Sequence, residues 1–161
     1  MNLKTVVLIL ALLQGVTQVA LAQDVPTLLL LGKSLLEQNK TDSAVSCFEQ
    51  VLLLDNKNYD ALVLLCNYQF LTGQRMLDKL ETAYFAHESP TRMAVAQYNE
   101  DLSNLYSSYF SKAEKYLIQA YLIRRNDHLD ELAGQIADFK ERIGIHTPGI
   151  KKSWIKRMRL L

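Results

Sequence analysis

Two consecutive stretches of the chain, residues 25–58 and 59–92, share a helical pattern at an offset of about 34 residues. In the first stretch, apolar residues at helical spacing lie on both sides of a polar turn at residues 39–42: Leu28, Leu31, Leu35, Leu36, Ala44, Phe48 and Val51. In the second, Leu65-Cys66 stands where the first has Leu31-Gly32, and Gly73 lies where the hairpin would turn. A single helical hairpin cannot bury its own apolar face, so such units stack into solenoids that present a surface. The pattern therefore predicts an all-α protein that binds rather than catalyses.

The first 22 residues have the features of a secretory signal peptide. Lys4 precedes an apolar run from Val6 to Leu13, and Ala20-Leu21-Ala22 is a small-x-small cleavage site. The alternative is an uncleaved membrane anchor, but the run is only about 8 residues, whereas a spanning helix needs about 20. We expect cleavage before Gln23 and export. The most compatible location is the periplasm, and a secreted or membrane-anchored form is the alternative.

The chain resembles a tetratricopeptide repeat (TPR) protein across roughly Val25 to Asp127. The first copy matches best, at positions Leu31, Gly32, Ala44 and Phe48. The second matches at Ala61, Leu62, Leu65 and Gly73, but Asp78 and Thr82 occupy the core places of its second helix. In the third, residues 102–106 and 113–117 resemble the two helix cores. The resemblance implies an α-solenoid of about three TPR-like helical hairpins, residues 25–58, 59–92 and 93–127, plus a C-terminal capping helix at 128–144.

Local signals give the expected helix ends. Thr72-Gly73-Gln74 predicts a turn, Ser89-Pro90 predicts a helix start, and residues 108–111 predict a short break. The capping helix should present a polar outer face with Asp130, Glu131, Lys140 and Arg142. Family members usually bind peptides or protein segments in a concave groove formed by the first helices of the repeats. The resemblance implies this groove lining: Leu29, Lys33, Leu36, Val63, Asn67, Phe70, Glu100 and Asn104. The alternative is that Leu29, Val63 and Phe70 only pack between repeats.

The segment 145–161 is basic and amphipathic. Ile150, Trp154, Met158 and Leu161 fall on one face of a helix. Its charged residues are all cations: Lys151, Lys152, Lys156, Arg157 and Arg159. The preceding mature chain carries about five more acids than bases. The tail could contact an anionic membrane or a partner groove through Trp154 and the cations, or pack back on the acidic body, or stay disordered. Export argues against nucleic acid as a partner.

Two cysteines, Cys47 and Cys66, lie about ten residues on either side of the turn at 56–58. If the flanking helices pack antiparallel, the thiols stand at similar height and a disulfide is geometrically conceivable. The alternative is two small apolar core residues.

Other chemistry is sparse. His87, His128 and His146 are scattered, and none has a cysteine or carboxylate at metal-ligand spacing. The sequence has no phosphate-binding glycine loop and no nucleophile elbow. We therefore expect neither metal nor cofactor, and no catalysis. The prediction is an exported adaptor that binds a partner protein or peptide. The alternative is a structural subunit of an envelope or secreted oligomer, and the sequence leaves the oligomeric state open.

Overall fold

A computed structural model describes residues 24–86 and 88–144 of this chain. They form helices and short connections, with no strand among them, so the all-α class is confirmed. The helices are α1 (Val25–Glu37), α2 (Thr41–Leu54), α3 (Tyr59–Phe85), α4 (Arg92–Leu105), a π-helical segment (Tyr106–Phe110), α5 (Ser111–Ile123) and α6 (Asp127–Arg142). The signal-peptide residues and the basic tail lie outside the described residues. Contacts divide the chain into two compact units, one through Asp55 and one from Asn56.

The first unit contains the hairpin of α1 and α2. The Asp24 carboxylate accepts a hydrogen bond from the Thr27 amide at 3.1 Å and begins α1, with a proline in the first turn. Asn39 ends this helix in the left-handed conformation, at φ 58°. The two helices approach closely at Gly32, where an added Cβ would lie 2.5 Å from the Phe48 ring. Glycine is therefore required for this packing.

The second unit begins with α3, which continues through residues 72–74. The predicted turn at Gly73 is therefore wrong. Gly73 is buried, and a Cβ at this position would lie 2.9 Å from the ring of Phe110 and 3.1 Å from the Cβ of Tyr109. The glycine makes room for an aromatic side chain in the middle of a helix and does not end the helix.

Helix α4, the π-helical segment and α5 follow one another without a break from Arg92 to Ile123. The predicted interruption at 108–111 is wrong, because the helix continues there with the wider hydrogen-bond pattern of a π-helix. Three serine hydroxyls donate to carbonyl oxygens four residues earlier, at distances of 2.9–3.1 Å: Ser103, Ser107 and Ser111. Such bonds compete for helix carbonyls and favour irregular geometry. The helix also begins later than predicted, because Thr91 and not Ser89 caps it by accepting from the Ala94 amide.

Helix α6 lies alongside α3 and runs in the same direction. At its start, Asn126 caps the helix through the Leu129 amide and donates to the Tyr59 hydroxyl at 2.9 Å. At its end, Arg142 bonds the carboxylate of Glu81. The second unit is thus an up-down-up arrangement of α3, the helix 92–123 and α6. The second and third predicted hairpins are not formed, because their residues build these longer helices.

Three phenylalanines meet in the core of the second unit. The Phe110 ring lies 4.4 Å from that of Phe139 and 5.7 Å, edge-on, from that of Phe70. Buried aliphatic side chains make up much of the rest of this core: Leu62, Leu65, Leu77, Leu102, Leu117, Leu129, Leu132 and Ile136. None of the described helices combines the length and apolar composition that crossing a bilayer requires.

Candidate functional site

Three aromatic rings meet at one end of the second unit and form a surface that we call the aromatic cluster: Tyr84, Phe85 and Tyr98. Tyr84 stacks on Tyr98 with ring centroids 4.1 Å apart and planes 18° from parallel. Phe85, the last residue of α3, lies edge-on to Tyr84 at 5.2 Å and to Tyr98 at 6.3 Å. It is nevertheless 70 % exposed. The cluster therefore presents a large apolar side chain to solvent on a base of packed rings.

The last turn of α6 supports the aromatic cluster. The Arg142 guanidinium donates to the Tyr98 hydroxyl at 3.3 Å and to the Glu81 carboxylate. Burial, and secondarily Tyr84, raises the pKa of Tyr98, so this phenol stays neutral at physiological pH. Since α3, α4 and α6 each contribute a residue, the rings are held by three elements of the fold. Aromatic residues and arginine are the types enriched at protein interfaces.

A second feature is a cleft of about 340 Å³ beside the π-helical segment. Its lining residues are Tyr106, Ser111, Glu114, Lys115, Ile118, Gln119 and Lys140. Lys140 donates to both Glu114 carboxylate oxygens, at 2.9 and 3.1 Å, and Tyr106 donates to Oε2 at 2.8 Å. Burial, and then the Glu114 carboxylate, raises the pKa of Tyr106. The Tyr106 hydroxyl and the Lys140 ammonium group are thus both engaged in hydrogen bonds with Glu114. These bonds join α6 to α5 and leave neither group free to act as a nucleophile.

The predicted outward position of Lys140 is wrong. This residue is 6 % exposed, and its ammonium group points to the interior pair with Glu114. Periodicity places it near the polar face of α6, but a long side chain can turn its charged end towards a buried partner on a neighbouring helix. The acid of that pair lies 26 positions earlier, beyond the reach of any local pattern.

The residues of the predicted groove fall in both compact units. In α1, Lys33 is exposed, whereas Leu29 and Leu36 are half-buried. In the second unit, Val63 and Asn67 are half-buried and Glu100 and Asn104 are exposed.

Two of these residues have partners within the second unit. Phe70 is 4 % exposed and packs on Phe110, so its assignment as a groove residue is wrong and it belongs to the core of the second unit. The Asn67 side-chain oxygen lies 2.9 Å from Nε2 of His128, so the start of α6 approaches it.

Both cysteines are buried free thiols in the structure. Burial raises the pKa of Cys66 to about 12, so its thiolate is scarce at neutral pH. We expect both thiols to resist alkylation in the native protein and to react after unfolding without reductant. Mass spectrometry measures the added labels. If labels were added only after reduction, the two residues would be bridged and the free-thiol state wrong.

The aromatic cluster was not predicted from the sequence. Periodicity assigns Tyr84 to the inner face of a helix, and it gives no reason to pair it with Tyr98. The usable signal is the concentration of aromatic residues on both sides of the short connection 86–91. The tail residues predicted to contact a membrane or partner, Lys151 to Arg159, lie outside the described residues. Within the described residues, no group of three histidine, cysteine or acidic side chains is placed to hold a metal ion.

No protein-family model matches the chain, and no curated protein matches it. Among solved structures, the fold is similar to that of a Bacteroides ovatus protein whose proposed role is protein binding. The TM-score is 0.72, and the sequences are 26 % identical over 75 % of this chain. The chain spans 59 % of the length of that neighbour. The similarity supports the helical fold of this chain.

Proposed function

We propose that this chain is a non-catalytic protein-interaction module, exported to the cell envelope, which binds a partner protein through the aromatic cluster. The observation on which the proposal depends is the exposure of Phe85 above the stacked pair Tyr84 and Tyr98. The helical neighbour with a proposed protein-binding role supports the same class of function. Export is inferred from the signal-peptide pattern of the first 22 residues.

The cluster suits a protein partner because its rings are already ordered. Tyrosine and phenylalanine supply contact area with few rotatable bonds, so little entropy is lost on binding. The Arg142–Glu81 pair gives a polar border at one side. An apolar centre with a polar rim is the usual anatomy of an interface.

Alanine-scanning surveys find that such anchors contribute 2 kcal/mol or more, about a thirtyfold change in affinity. We therefore expect Phe85→Ser to lower the yield of a specific partner strongly when the mature chain captures proteins from its native envelope. Quantitative mass spectrometry of the captured proteins measures the change. Phe85 lies on the surface, so this substitution should leave the helical circular dichroism unchanged.

Leu122→Ser is the matched control. Leu122 is 81 % exposed, in the same unit, and lies two residues before Arg124, whose guanidinium stacks on Tyr59 at the start of α3. Phe85 is at the other end of that helix, which has 27 residues and is roughly 40 Å long. Leu122 therefore lies far from the aromatic cluster. A second arm, Lys33→Glu, tests the groove implied by the repeat resemblance. If Lys33→Glu abolished capture and Phe85→Ser did not, the aromatic cluster would be the wrong surface.

The alternative function is a structural subunit of an oligomeric envelope complex. Light scattering of the purified mature chain separates the two proposals. A monomer supports an adaptor, and a stable oligomer whose assembly Phe85→Ser disrupts supports the subunit.

A further inference from the structure

We propose that the basic segment 145–161 docks on the aromatic cluster of its own chain, with Trp154 covering Phe85. This inference concerns the free protein and does not depend on the existence of an external partner. It identifies the cluster as an intramolecular docking site for the tail. The first reason is the place at which the described chain ends.

The end of α6 lies at the aromatic cluster. Arg142, the last residue of the helix, contacts the Tyr98 hydroxyl, and Gly144 follows two positions later in the left-handed conformation at φ 69°. The tail therefore starts beside the exposed rings. Trp154 follows Gly144 by ten residues, a span of about 15 Å in a helix and up to about 35 Å extended. Its indole ring can reach the cluster in either form.

The second reason is charge. All seventeen acidic residues of the chain lie between Asp24 and Arg142, where there are twelve lysines and arginines. The tail has five cations and no acid. Glu88 lies in the connection that follows Phe85, and Asp101 is three residues beyond Tyr98, whereas the Glu81 carboxylate is already paired with Arg142. Opposite net charges attract the tail to the rest of the chain, and this attraction weakens as salt is added.

The third reason is the match of apolar residues. The exposed surface at the cluster is aromatic, and the tail places Ile150, Trp154, Met158 and Leu161 at helical spacing. A tethered segment binds at an effective concentration in the millimolar range when its linker is short. The contact between the tail and the cluster therefore needs an intrinsic dissociation constant only below the millimolar range for docking.

Trp154 is the only tryptophan of the chain, so its fluorescence reports on the tail alone. In the purified mature protein we expect a blue-shifted emission and weaker acrylamide quenching than in the urea-unfolded chain. Loss of the Phe85 contact lowers the docking constant about tenfold or more. Phe85→Ser should therefore shift the emission to the red and increase quenching, whereas Leu122→Ser should leave both unchanged.

Other occupants give different results, and each overturns the proposal. Quenching equal to that of the unfolded chain means that the tail is undocked. If Trp154 is shielded but Phe85→Ser changes neither its emission nor its quenching, the indole packs elsewhere. Shielding that grows with protein concentration points to a second copy, and shielding that needs anionic phosphatidylglycerol vesicles points to a membrane. The fluorescence measurement uses the purified chain without a partner. A negative result would therefore overturn tail docking without deciding the result of the partner-capture experiment.

Discussion

Replacing Glu114 with alanine should lower the free energy of unfolding by about 3–5 kcal/mol, the usual loss when one member of a buried ion pair is removed. The change leaves the Lys140 ammonium group buried without its carboxylate and also removes the acceptor of the Tyr106 hydroxyl. Unpaired buried charge is unfavourable because the interior cannot replace the hydration that the group loses. Urea unfolding followed by circular dichroism at the helical band measures the change.

The matched control is an exposed pair. Arg125 and Asp130 form a bidentate contact at 2.9–3.1 Å with both side chains over a third exposed. Arg125→Ala should therefore destabilise the protein far less than Glu114→Ala does, because solvent screens the exposed pair. The double variant Glu114→Leu with Lys140→Met, which removes both charges, should recover much of the stability. Equal losses for Glu114→Ala and Arg125→Ala would contradict the buried state of the Glu114–Lys140 pair.

Replacing Gly73 with alanine should destabilise the protein although alanine is the better helix former. Alanine gains about 1 kcal/mol of helix propensity over glycine. Against this, its Cβ would lie 2.9 Å from the Phe110 ring. That ring is held between Phe70 and Phe139, so it has little room to move. Overpacking of this kind costs about 1–3 kcal/mol, and the loss is read from the midpoint of thermal unfolding.

Gly134→Ala serves as the internal comparison for Gly73→Ala. Gly134 lies within α6, and a Cβ added there meets no atom within 4 Å. The same substitution should therefore stabilise the protein by up to about 1 kcal/mol. If both variants raised the midpoint, the close packing of α3 on Phe110 would be wrong. Combining Gly73→Ala with Phe110→Leu should relieve part of the crowding, which a double-mutant cycle measures.

The helical class could be predicted from the sequence because apolar residues at helical spacing are local information. The cap at Asp24 and the ends of the α1–α2 connection are local as well, since each depends on neighbouring residues. Gly73 shows where local information fails. A glycine followed by polar residues is compatible with a helix end or with a close contact, and only Phe110, 37 positions away, decides between them.

The candidate site illustrates the same limit. The exposure of Phe85 depends on where α3 ends, and the support of Tyr98 depends on Arg142, 44 positions later. The groove prediction assumed repeats of equal length, and it therefore assigned Phe70 to an open surface. In the structure Phe70 packs on Phe110, which the helix 92–123 brings alongside α3. The uninterrupted course of this helix could not be inferred from propensities alone.

The π-helical segment also determines how the helix 92–123 tolerates insertions and deletions. A π turn accommodates one residue more than an α turn, so the apolar positions of α4 and α5 are out of phase by one place. Deleting one residue within 106–110 would therefore give regular α-helix with the faces of α4 and α5 still nearly aligned, whereas inserting one further residue would rotate α5 by about 100° relative to α4. Leu117 and Ala120, both buried, would then turn away from α3. Length variation in this stretch is therefore constrained by the angular alignment of two packed faces, although its serine-rich composition resembles that of a tolerant loop.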